Sequence, residues 1–119
     1  MTKAAALHQF FSSFGLPAYA TTDVPDDAML PYLVYEFTMG AFEDVTYPAV
    51  ELYYHSESNV PINAKAQEIS DRCHNGAAIR FDDGGAMIYC GTWQALRDEV
   101  NDKIKRRRSS FTIQWVSNT

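Results

Sequence analysis

Long apolar runs are missing from this 119-residue chain. None approaches the roughly 20 residues a membrane-crossing helix needs, so no spanning helix is expected. Cysteine is scarce, with Cys73 and Cys90 the only two. No export signal is read either, because Ala4-Ala5-Ala6-Leu7 is cut off at once by His8-Gln9. Reduced thiols in a cytosol are therefore expected, with no disulfide. Catalytic motifs are also missing: no Gly-rich phosphate loop, no Gly-x-Ser-x-Gly elbow and no His-Glu-x-x-His occurs. The Cys and His residues lack the paired spacing of a zinc site, since Cys73 and His74 are adjacent on one expected helix and Cys90 stands alone on a strand. No Asp/Glu-x-Lys tripeptide supports a nuclease, and Gly84-Gly85 explain Asp82-Asp83 as turn chemistry. The expectation is a protein that is not an enzyme and holds no metal or cofactor.

What is present belongs to one globular domain. A hydrophobic share of 46% and a charged share of 21% are ordinary for such a chain, and its length suffices for a core without staples. The net charge of −5 is unevenly spread. Residues 1–60 hold one basic and eight acidic residues, whereas residues 61–119 hold nine basic and seven acidic. Five of those nine lie in Lys103–Arg108. Two readings of this asymmetry stand: complementary edges of identical subunits, or two solvated faces of a monomer. The basic run likewise reads as a contact for phosphates or an acidic neighbour, or as a solvated strand end.

Two strands organise the chain. In Tyr32–Thr38, Leu33, Tyr35 and Phe37 share one face, and in Ala49–His55 the matching set is Val50, Leu52 and Tyr54. The opposite face carries Tyr32, Val34, Tyr53 and His55 beside Glu36 and Glu51. That is too much aromatic surface for water alone, so either another subunit or a helix of the same chain is expected to cover it.

Around this pair, residues 2–14 read as a helix capped by Thr2, with a stripe of Leu7, Phe10, Phe11 and Phe14, stopped by Gly15 and Pro17. An extended connector follows, in which Tyr19 is expected at a sheet edge. A second helix begins after Asn59 or Ser58 with Pro61 in its first turn, and buries Ile62, Ala66, Ile69 and Cys73. Residues 77–81 and 86–90 form a hairpin around Asp82–Gly85. Gly91–Asp102 reads as either helix, from the spacing of Trp93, Leu96 and Val100, or loop. A long final strand, from about Ile104 to Val116, buries Phe111, Ile113 and Trp115. The order predicts an α+β fold: a single domain with an about five-stranded, mainly antiparallel or mixed sheet and two helices on one face.

The stretch Phe10–Tyr19 resembles the N-terminal helix and turn of small tail-completion, or tail-terminator, proteins of long-tailed phages and Gram-positive prophages. Leu30–Tyr35, Ile62–Lys65, Asp83–Gly85 and the closing run Ile104–Arg107 with its following strand match in kind and order. The similarity spans nearly the whole chain. It implies a non-enzymatic virion structural protein, assembled in the host cytoplasm, that forms a hexameric ring capping the tail tube and joining the head. Implied partners are further copies of itself, the tube protein and a head-completion protein, with non-specific contact to passing DNA and no membrane. A ring needs two complementary edges. The expected subunit interface pairs Arg106, Arg107 and Arg108 with acids such as Glu36, Glu43, Asp44 or Glu51 of the next subunit, and Tyr32, Phe42 and Tyr53 supply its apolar part. The alternative is a small soluble adaptor or nucleic-acid-binding domain with no virion role.

Overall fold

A computed structural model describes residues 1–98 and 100–117, with the side chain of Ser117 left aside; Glu99, within the ambiguous Gly91–Asp102 stretch, lies outside the described residues. Two helices and nine strands follow one another as α1 (Lys3–Ser12), β1 (Ala18–Ala20), β2 (Tyr32–Tyr35), β3 (Val45–Thr46), β4 (Ala49–His55), α2 (Val60–Cys73), β5 (Ala77–Phe81), β6 (Gly84–Tyr89), β7 (Trp93–Arg97), β8 (Ile104–Ser110) and β9 (Thr112–Ser117). The fold is α+β in one compact domain, as the order of elements predicts. The strands form two sheets, of five (β1-β2-β4-β8-β7) and four (β3-β9-β6-β5), where one of about five was expected.

Both helices form where their caps and stripes place them. Thr2 Oγ1 accepts a hydrogen bond from the Ala5 N–H at 3.1 Å, which starts α1. Ala6, Leu7, Phe10 and Phe11 are buried along it, and Gly15 takes the left-handed conformation (φ 82°) beyond its end. In α2, Ile62, Ala66, Ile69 and Cys73 are all buried. Asn59 stands at its N-cap without a side-chain cap bond, while Ser58 Oγ accepts from the Val60 N–H at 3.0 Å. α1 lies against β1 and β5, α2 against β4 and β8. Their stripes meet Leu33, Val50, Leu52, Phe111, Ile113 and Trp115 in one core.

The two sheets are halves of one bent ladder. β4 pairs antiparallel with β8, and β3 with β9, in the same register on either side of a corner where Pro48 faces Phe111. Proline has no N–H to give to a ladder, so regular pairing lapses there. The Phe111 N–H still donates to the Pro48 carbonyl at 2.8 Å. The expected single strand over Ile104–Val116 is therefore interrupted at Phe111, with its buried alternation intact: Ser109, Phe111, Ile113 and Trp115 all face inward. The β6–β7 segment turns the same corner by a bulge. Between the pairs Tyr89↔Thr112 and Trp93↔Ser109, three residues (Cys90, Gly91, Thr92) face two (Ser110, Phe111).

Two expectations change. Gly91–Asp102 is neither helix nor simply loop, because Trp93–Arg97 forms β7 on the edge of the five-stranded sheet. The i, i+3 spacing of Trp93 and Leu96 fits a helix face, but in a strand it sends them to opposite sides. Trp93 packs on the core beside Phe111, while Leu96 stands on the outer row opposite Arg106. Phe37 is 44% exposed rather than buried, since β2 ends at Tyr35 before the alternation reaches it.

Candidate functional site

The core takes the Leu33–Val50–Leu52 side of the five-stranded sheet, and both helices are on that side. The opposite face is left to solvent among the described residues, which answers the second of the two readings of its aromatic surface: neither helix of this chain covers it. Register fixes what meets there. Tyr32 stands opposite Tyr53, Tyr53 opposite Arg106, and Glu51 opposite Arg108. Tyr19, Tyr32 and Tyr53 form a row of rings with centroids 5.8 and 5.3 Å apart. Val34, across from Tyr19 and Glu51, is buried outside the main core, beneath this outer face.

Glu51 is the hub. Its side chain is 15% exposed, and its Oε2 accepts from the Tyr53 hydroxyl at 2.7 Å. Its Oε1 accepts from Arg106 at 3.3 Å and from Arg108 at 3.5 Å. The Arg106 guanidinium also lies 5.1 Å from the Tyr53 ring centroid, in cation–π range. Arg106 Nε is buried and has no acceptor among the described residues. A carboxylate held between two guanidiniums and a phenol has three of its roughly four acceptor sites engaged. What such a face offers is recognition: flat aromatic area with fixed charge at its centre.

Apart from Glu36, the residues expected at an interface divide into three groups. Tyr32, Glu51, Tyr53, Arg106 and Arg108 come together on this face. Arg107 points to the opposite side by alternation, where its guanidinium donates to Asn59 Oδ1 at 3.2 Å and Asn63 Oδ1 at 2.9 Å. Phe42, Glu43 and Asp44 lie on a loop beside β9, tied to it by the Glu43 N–H on the Trp115 carbonyl (3.0 Å) and the Trp115 N–H on the Asp44 carbonyl (2.9 Å). There Phe42 is 55% exposed and Glu43 is left-handed (φ 66°).

Most of the acids named as docking partners are thus occupied at home. Glu51 is shared by two arginines, Glu36 accepts from the Ala49 N–H, and Asp44 accepts from the Ala41 N–H at 2.7 Å. The pairing with a next subunit read from the charge asymmetry is in part a cross-strand pairing within the chain. Tyr19 stands on the edge strand β1, as expected, but its place on this face was not read, and Gln94 and Leu96 were missed. Tyr19 carried a signal in the alternation of Ala18-Tyr19-Ala20, whereas the other two depended on a strand that spacing did not show.

Elsewhere, Cys73 and Cys90 are free thiols, and burial lifts both, Cys73 to about 11. Among the described residues no three His, Cys, Asp or Glu side chains gather in a metal-holding group. No family model matches the chain, and no curated protein matches it significantly.

Burial, then the Glu51 hydrogen bond and charge, push Tyr53 up to about 12, with Arg106 pulling the other way. An unfolded tyrosine ionises near pH 10. The folded state then holds the proton longer than the unfolded one, so this share of stability is complete below about pH 10 and is lost as pH rises towards 12. Denaturation midpoints should fall over that window, and Tyr53→Phe should flatten the fall by about one proton's worth. It should not abolish it, because Tyr35, Tyr54 and Cys73 are pushed the same way. Parallel pH profiles for the two proteins would mean that Tyr53 titrates normally.

Proposed function

We propose that this chain is a non-enzymatic structural subunit of a phage virion, which forms a ring at the head–tail junction and caps the tail tube. Its partners are copies of itself, the tube protein and a head-completion protein, and it assembles in the host cytoplasm before taking its place in the neck. The observation that carries the reading is the uncovered face of the five-stranded sheet, with Tyr19, Tyr32 and Tyr53 in a row around the Glu51–Arg106–Arg108 cluster. Tyrosine gives large contact area at low entropic cost, and a prearranged charge cluster sets register; both suit a protein partner. The order of motifs that resembles tail-completion proteins supports the same reading.

A nucleic-acid-binding domain is the second reading, favoured by the five cations in Lys103–Arg108. Against it, Arg106 and Arg108 already meet Glu51, and the chain as a whole carries −5. Purified protein mixed with tail tubes and with duplex DNA separates the two. The ring reading expects binding at tube ends, and a Tyr32→Ala/Tyr53→Ala protein should bind about tenfold or more weakly, a larger loss than Arg108→Ala causes. Binding to DNA with none to tubes would overturn it.

A further inference from the structure

The five-stranded sheet has two unlike edges, β1 and β7. β1 is parallel to β2, so the chain leaving Ala20 has to travel back the length of the strand before Tyr32. That return carries Asp23, Asp26 and Asp27, all exposed, and none forms an ion pair among the described residues. At the other edge Arg97 stands directly opposite Lys105, and Arg107 follows two residues along the same face. Like charges directly opposed across a ladder destabilise it.

None of these three cations reaches a carboxylate within ion-pair distance among the described residues. Lys105 donates to the Asp102 carbonyl, and Arg107 to Asn59 and Asn63. Arg97, Lys105 and Arg107 line one groove, and two carboxylates, Asp98 and Asp102, border it. Asp98 is turned into its own loop, accepting from the Val100 and Asn101 N–H groups at 2.9 and 3.0 Å.

Exposed apolar groups accompany the acidic return and the β7 edge. The three most exposed large hydrophobic residues among those described are Val100 (96%), Met29 (83%) and Val60 (71%). Met29 sits on the acidic return. Val100 follows β7, and Val60 adjoins Asn59, which lines the basic groove.

We infer that the β1 edge of one subunit docks on the β7 edge of the next copy of this chain. Asp23, Asp26 and Asp27 approach Arg97, Lys105 and Arg107, and Met29 meets the apolar rim at Val60 and Val100. A closed ring requires two different, complementary surfaces on each subunit, and opposite edges of one sheet supply them. This rests on the ring reading above and specifies its joint, leaving the tyrosine face for other components. A polyanion is the poorer occupant of the groove, since Asp98 and Asp102 border it and the chain carries −5, whereas a loop with separated carboxylates passes between them.

Charge reversal tests the joint in the full-length protein. Asp26→Lys/Asp27→Lys and Arg97→Glu/Lys105→Glu should each weaken self-association, followed by sedimentation at low salt, by about tenfold or more. An equimolar mixture should recover it, because each altered edge then meets an opposite charge. Arg97→Glu alone separates docking from folding: it removes the like-charged pair with Lys105, so thermal stability should hold or rise while assembly weakens. If the wild-type protein assembles and the variants assemble equally well, or the mixture fails to recover, the edge joint is wrong and the ring reading stands. If the wild-type protein neither self-associates nor binds tubes, both fall. If Arg97→Glu releases duplex DNA and leaves assembly unchanged, the row is a phosphate site and the joint is overturned.

Discussion

Replacing Trp115 with alanine is expected to cost about 3–5 kcal/mol, the range for deleting a fully buried large aromatic side chain. Trp115 is 0% exposed and packs on Phe81 at 5.8 Å between ring centroids. Its indole N–H donates to Thr46 Oγ1 at 3.0 Å, and that hydroxyl lies 3.0 Å from Thr38 Oγ1. The backbone of the Gly40–Asp44 loop closes over it through Glu43 and Asp44, and the Lys3 ammonium sits 5.8 Å from its ring centroid. One residue therefore joins β9, β3, α1 and a loop. A domain of this size has roughly 5–15 kcal/mol in total, so the melting temperature should drop by about 10–20 °C. Val116→Ala, one residue along and 54% exposed, should stay within about 0.5 kcal/mol. Equal losses for the two would mean that the indole is not packed as described.

Gly40 sharpens this test. A β-carbon there would lie 2.6 Å from the indole Nε1 and 2.7 Å from Cγ, so the backbone rests flat on the ring. Gly40→Ala should destabilise the wild-type protein by about 1–3 kcal/mol through overpacking. In the Trp115→Ala background the same methyl enters the vacated space, so the two changes should fall well short of additive.

Local rules made much of this fold legible. The α2 stripe, the Thr2 cap, and the inward sets of Leu33/Tyr35 and Val50/Leu52 each follow from a period or a terminus signal within a few residues. Pairing is non-local, and there legibility ends. Nothing near Phe111 in sequence announces a corner, because its cause is the missing N–H of Pro48, between β3 and β4. The division of the basic run is half legible. Alternation separates Arg106 and Arg108 from Arg107, but only β4 as the neighbour of β8 reveals that Glu51 lies between the first two. Lys105 and Arg107 fall on the parity that buries Ser109 and Phe111 further along. Their polarity marks where the strand leaves the core, a signal the sequence carried. The third strand of the corner was hidden because Trp93 and Leu96 satisfy a helical spacing equally well. It is also why the β7 edge, with Arg97 opposite Lys105, was not anticipated as a surface.

The corner depends on Gly91, and its substitution is the second large effect expected. Three residues must pass two where β6 becomes β7, which presses the backbone of Gly91 against β8. A β-carbon at this position would fall far inside van der Waals contact with the Ser110 carbonyl oxygen, and 3.3 Å from Ser109 Oγ. The obstacle is backbone, so no rotamer change relieves it. Ser110 is pinned by Ala49 on its other side, and Phe111 by Pro48. Gly91→Ala should therefore cost about 1–3 kcal/mol, towards the upper end because the bulge must open rather than repack. The loss should reach beyond position 91. Trp93, whose indole N–H donates to Ser70 Oγ at 2.9 Å and whose ring meets Phe111, is seated by the same bulge. Hydrogen exchange should thus accelerate in β7 and in the β8 amides that pair with it, and far less in β5 on the other sheet. Thr92→Ala, exposed and next in sequence, is the control and should be nearly neutral. A Gly91→Ala protein as stable as that control would show that β7 does not cross the corner against Ser110.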